Sequence, residues 1–177
     1  MIVRQYDVEN FGVFCYLVGD EDTKERLFID PADDADRLLS GTKSRRLTKI
    51  NYIVNTRSHV DHIMGNKEMV KKTGAKIVIH EEDAPFLTRT PSDLLEMFRV
   101  ASSPPADLQV KDGDMIQVRN VGLKVIHTPG HSPGGMALYM EGMVFTGDTI
   151  VFPGHNYGPT PSSTIQYEKR HNSFVRG

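Results

Sequence analysis

Ile50-Asn51-Tyr52-Ile53-Val54-Asn55-Thr56-Arg57-Ser58-His59-Val60-Asp61-His62 carries an apolar strand straight into a run of histidine and aspartate. In extended backbone, residues two apart project to the same side, so His59 and Asp61 can share one target. His62 then stands at the entry to a helical stretch, 63–73, and can aim at a second nearby point. Imidazole beside carboxylate suits borderline divalent ions such as zinc, and manganese or iron as well. Cys15 is the single cysteine, which excludes both a thiolate metal site and a disulfide framework.

Three further clusters stand at the ends of expected strands. His127-Thr128-Pro129-Gly130-His131-Ser132-Pro133-Gly134-Gly135 follows Ile126, Gly147-Asp148-Thr149 follows Phe145, and Pro153-Gly154-His155-Asn156-Tyr157-Gly158 follows Phe152. Loops just beyond strand ends are where a rigid sheet presents several side chains to one point. Singly, these residues have plainer roles. Asp61 could be a helix N-cap, Asp148 a turn cap, and His127 a structural side chain. His80 and His171 have no partners at a meaningful spacing. Jointly, a His/Asp/His triplet, two loop histidines and a strand-end aspartate point to a metal centre.

The rest of the chain frames these clusters. β-Branched and aromatic runs predict strands over 2–8, 13–18, 26–29, 50–54, 76–80, 115–118, 123–126, 136–140 and 143–145. Helices are expected over 33–47 and 63–73, with Gly74 as the C-terminal glycine of the latter, and over 81–99 in two pieces broken by Pro91. That order implies a mixed α/β layered fold, read as a single domain over 1–177. With 177 residues and 38% hydrophobic content, the chain can bury one layered core. Lys+Arg 21 against Asp+Glu 23 gives −2, so neither a nucleic-acid nor a membrane-surface partner is expected. No apolar run approaches the roughly 20 residues of a membrane span. The N-terminus lacks a secretory pattern, which makes the cytoplasm the expected location.

In these motifs the chain resembles the metallo-β-lactamase superfamily, and within it looks most like the glyoxalase II enzymes and related small hydrolases. The family signature is a threonine followed by H-x-H-x-D-H, and here Thr56-Arg57-Ser58-His59-Val60-Asp61-His62 stands in its place. Later motifs match at Thr128-Pro129-Gly130-His131-Ser132-Pro133-Gly134, Thr146-Gly147-Asp148-Thr149 and Pro153-Gly154-His155, and Phe28-Ile29-Asp30-Pro31 fits a supporting aspartate after a core strand. The resemblance implies an αββα sandwich with metals at one edge of the paired sheets. It implies a first site of His59, His131 and Asp148, with Asp148 bridging to a second site of Asp61, His62 and His155. The implied chemistry is hydrolysis by a metal-activated water, with Asp61 holding and deprotonating that water.

Two departures stand out. Arg57 occupies the place of the leading motif histidine, and a guanidinium has no lone pair to offer a metal. Its charge repels a dication, although Asp61 or Asp148 could pair with it. The expectation is a second site that binds metal more tightly than the first. The second departure is the short run from Thr149 to His155, which leaves no room for the helical crossover the family carries there. Apolar surface exposed by that loss could serve a homo-oligomer. About twenty residues follow His155, whereas glyoxalase II enzymes carry a helical C-terminal domain that holds glutathione. The expected substrate is therefore a small-molecule thioester or ester in general, with Tyr157 and Arg57 as candidate substrate contacts. Two alternatives stand beside this: a single-iron dioxygenase acting on sulfur substrates, and a metal-binding scaffold that is catalytically weak.

Overall fold

Strands form here where alternate side chains find a partner layer on each face. In the computed structural model, which describes residues 1–8, 12–32, 35–40 and 49–148, β2 (Val13–Gly19) is buried along its whole length. Its Val13, Cys15 and Leu17 enter one hydrophobic cluster, and Phe14, Tyr16 and Val18 enter another. The same division runs through β3 (Glu25–Ile29), where Phe28 opposes Leu27 and Ile29, and through β5 (Lys76–His80), where Ile77 and Ile79 oppose Val78. With β1 (Ile2–Val8), β4 (Lys49–Val54) and β6 (Leu108–Val110), these strands form a six-stranded sheet in the order β1-β2-β3-β4-β5-β6. The first three pair antiparallel and the rest parallel.

Parallel neighbours require crossovers, and helices supply them. Helix α1 (Ala35–Ser40) leads from β3 towards β4, and α2 (Val60–Ile63) with α3 (Asn66–Thr73) joins β4 to β5. Leu38 and Met69 carry these helices into the first cluster. Helix α3 ends as its sequence predicts: Gly74 adopts a left-handed φ of 68° and donates its N–H to the Val70 carbonyl at 2.8 Å.

The second sheet is an antiparallel meander of β7 (Met115–Val118), β8 (Val121–His127), β9 (Met136–Met140) and β10 (Met143–Phe145). Its inner face packs Ile116, Leu123, Val125 and Leu138 against Phe14, Val18 and Leu27, and Tyr16 meets Phe145 edge-on at 4.9 Å. The result is the expected mixed α/β sandwich with two sheets face to face. On the outer face of the second sheet, Met115, Ile126 and Tyr139 are 55%, 37% and 39% exposed.

The elements differ from expectation in three places. The helix expected over 63–73 begins at Val60 and breaks at Gly65, which puts Asp61 inside the first turn of α2 and His59 at its N-cap. The stretch 81–99 holds a 3-10 turn, Ala84–Phe86, and helix α4 (Ser92–Phe98), for which Pro91 is the N-cap. Strand β6 was not foreseen, because Leu108 and Gln109 are exposed and only its backbone ladder to β5 makes it a strand. Part of the helix expected over 33–47 lies outside the described residues. So does 149–177, with His155, Tyr157, His171 and the short Thr149–His155 connection. Among the described residues no helix is long and apolar enough to cross a membrane.

Candidate metal centre

The site grows from the carboxyl end of β4. Beyond Val54 the ladder runs one residue further on each side: Asp30 donates to the Val54 carbonyl and Asn55 to the Val78 carbonyl. Asp30 takes a left-handed φ of 47°, which turns its carboxylate into the interior. There it accepts the Thr56 N–H at 2.8 Å, the Thr56 hydroxyl at 2.6 Å and His62 Nδ1 at 2.9 Å. Bonding to a carboxylate places a proton on His62 Nδ1 and makes Nε2 the nitrogen that can serve a metal. That nitrogen lies 3.7 Å from Asp61 Oδ2 and 3.6 Å from Asp148 Oδ1.

Arg57 enters the same space from the opposite side. It is buried, with Nη2 at 3.2 Å from Asp61 Oδ2 and Nη1 in an ion pair with Asp148 Oδ2. Among the described residues its buried Nε meets no hydrogen-bond partner. At the mouth, His59 Nδ1 and His131 Nε2 stand 3.1 Å apart, with their rings edge-on. His131 Nε2 lies 3.6 Å from Asp148 Oδ2. Partial burial, then the charges of Arg57 and His131, holds the His59 pKa below its ordinary value, which favours the neutral ring a metal requires. Five of the six expected ligands thus come together: His59, Asp61, His62, His131 and Asp148. The sixth, His155, lies outside the described residues, as does Tyr157.

One buried carboxylate ties the contributing loops to each other. Asp83 accepts the Ser58 N–H at 2.7 Å, the Ser132 hydroxyl at 2.9 Å and the Gly134 N–H at 2.7 Å. The loop after β4 and the loop between β8 and β9 are therefore held by one side chain. Gly134 is required for this approach, since a Cβ there would meet the Asp83 backbone nitrogen at 2.5 Å. Nothing in the sequence singles out Asp83 itself, which falls in the stretch 81–99 expected to be helical. The one available signal was the tight Ser132-Pro133-Gly134 turn, whose N–H groups need an acceptor.

The donor types suit a divalent ion. Two imidazole nitrogens bound to one ion at about 2.1 Å each stand roughly 3.0–3.4 Å apart, the spacing that His59 and His131 show. The cation already present is Arg57, which separates Asp61 from Asp148. Among the described residues, the group of three donors whose ligand atoms all lie within 4.8 Å of one another is elsewhere: His80, Glu82 and His127. Contrary to the sequence reading, His80 does have a partner, for its ring stacks on His127 at 4.0 Å and 13°.

A groove of about 570 Å³ opens beside His59 and Asp61. Val60, Phe86, Leu94, Met97 and Phe98 make it largely apolar, with Arg89 on its wall.

Comparison with known proteins bears on the family and the fold. The family model described as the metallo-beta-lactamase superfamily matches residues 8–168. A hydroxyacylglutathione hydrolase of Maricaulis maris is 31% identical over 154 residues, which cover 85% of this chain and 52% of that protein. The chain thus spans about half the length of that relative. Among solved structures, ETHE1 from Myxococcus xanthus superposes with a TM-score of 0.79 at 25% identity, covering 99% of this chain and 84% of that one. The BLEG-1 B3 metallo-beta-lactamase superposes with a TM-score of 0.82 at 23% identity, over 99% of this chain and 100% of that one.

Proposed function

This chain belongs to the metallo-beta-lactamase superfamily, and from that premise we propose that it is a metal-dependent hydrolase of a small thioester or ester. The observation that carries the reading is His62, oriented by Asp30 so that Nε2 faces Asp61 and Asp148 at the head of an apolar groove. The hydroxyacylglutathione hydrolase relatives, at about 30% identity, support the thioester class.

His62, Asp61 and Asp148 would hold a divalent ion on one side, with His155, outside the described residues, as the fourth ligand that the family resemblance implies, and His59, His131 and Asp148 frame the other. Zinc is the proposed ion, and iron or manganese suits the same donors. Such an ion supplies Lewis-acid polarisation of a carbonyl oxygen and makes a nearby water more acidic. The protein's own residues do the rest. Asp61, partly exposed beside the groove, orients the attacking water and takes its proton. Asp30 keeps the His62 proton on Nδ1 throughout. The groove takes the apolar part of the acyl group and sets the scissile C–S or C–O bond beside Asp61.

The test is hydrolysis of a panel of thioesters and lactones by the purified chain, read beside its metal content. Metal-dependent cleavage that stops on chelation is expected. Bound iron with oxygen consumption and no cleavage would instead select the sulfur dioxygenase reading, which a centre short of one histidine ligand also suits. Bound metal with neither activity would select the scaffold.

A further inference from the structure

A lone guanidinium is unfavourable inside a protein unless carboxylates offset it, and Arg57, at 3% exposure, has two of them. Its two terminal nitrogens do not grip one carboxylate. They fork, Nη2 to Asp61 and Nη1 to Asp148. At Asp148 the fork is selective: Arg57 takes Oδ2, the oxygen 3.6 Å from His131, and leaves Oδ1 turned to His62 at 3.6 Å. His62 Nε2 lies near both carboxylates, yet these three residues do not close into a group within 4.8 Å of one another. The two carboxylates stand apart on either side of the guanidinium.

We infer that the Arg57 guanidinium replaces one of two cations in this centre, as a permanent charge on the His131 side of Asp148, and that the chain takes up one divalent ion on the His62 side. Arginine keeps its proton at any ordinary pH, so an ion arriving on the His131 side meets a fixed positive charge and an oxygen already engaged. His59 and His131, 3.1 Å apart, are then the pair that a histidine at position 57 would complete. Arg57 holds Asp61 and Asp148 in place without metal but further apart than two ligands of one ion stand, so an ion on the His62 side draws one of the carboxylates in. The inference rests on the metal-binding part of the proposed function and is independent of the reaction.

Metal content and melting temperature test it without reference to activity. The full chain, Arg57→His and Arg57→Ala are each dialysed with zinc and analysed for bound metal, then melted with and without chelator. The natural chain should hold about one equivalent and Arg57→His about two. Chelated Arg57→Ala should melt below the chelated natural chain, because its two carboxylates lose the positive charge that lies between them. Two tightly held equivalents, or none, in the natural chain would overturn the inference. So would an Arg57→His chain that folds and gains no metal, or a chelated Arg57→Ala that melts no lower than the chelated natural chain. Should Arg57→His fail to fold, the natural stoichiometry and Arg57→Ala decide the question. A chain that binds one ion and cleaves no thioester would sink the proposed reaction and leave this inference standing.

Discussion

Two histidines, His62 and His80, are almost equally buried, at 0% and 2% exposure, and their surroundings could hardly differ more. His62 gives Nδ1 to the Asp30 carboxylate and turns Nε2 towards two further carboxylates. His80 accepts the Glu82 N–H at its Nδ1, at 3.3 Å, and stacks flat on His127. A ring lone pair lies in the ring plane. Stacked rings therefore keep their lone pairs in parallel planes 4.0 Å apart, which suits packing better than a shared ion. Burial alone does not mark a ligand. What marks one is a carboxylate fixing one nitrogen while the other is turned towards further donors.

That contrast can be broken most severely at Asp30. Asp30→Ala leaves the Thr56 N–H and hydroxyl and His62 Nδ1 without their acceptor, and should cost about 4 kcal/mol in urea unfolding. His80→Phe keeps a ring on His127 and should cost about 1 kcal/mol or less. Equal losses would end the distinction between the two histidines. A gentler change separates affinity from folding: Asp30→Asn should weaken zinc binding by roughly 10- to 100-fold. His127→Asn should change it by about threefold at most, with competition against a chromophoric chelator as the readout.

Gly134→Ala probes the support beneath the site. Its new methyl would press on Asp83, and a loss of about 1–3 kcal/mol is expected; an unchanged melting curve would show that the clasp yields freely. The smallest effect is on pH. Burial, then the neighbouring His127, pushes the His80 pKa down from about 6.5. The unfolded chain thus binds a proton that the folded chain refuses. This share of stability is complete above about pH 6.5 and fades as the pH falls from there towards the folded pKa. His80→Asn should flatten that acid limb, and an unaltered limb would assign it to other groups.

Much of this was legible in the residues themselves. The β-branched and aromatic run Val13 to Val18 announces a strand, and the spacing of His59 and Asp61 announces a shared target with His62 aimed beside it. Arg57 was readable as a missing ligand with a charge that Asp61 or Asp148 could answer; the structure shows that both answer it at once. Asp83 and β6 were not legible. The value of Asp83 comes from loops 25 and 51 residues away in sequence, which no local pattern encodes. Strand β6 exists because β5 offers it a ladder, and its own side chains carry little of the signal. The same holds for His80, whose partner lies on the other sheet.

Asp83 also has a kinetic consequence. The amide protons of Ser58 and Gly134 belong to loops after strands of different sheets, yet both end on one carboxylate. Neither can exchange with solvent deuterium by that route unless the Asp83 contacts let go, and one such opening exposes both. Their exchange rates should therefore rise and fall together, so that the sandwich loosens at this edge as a unit rather than loop by loop.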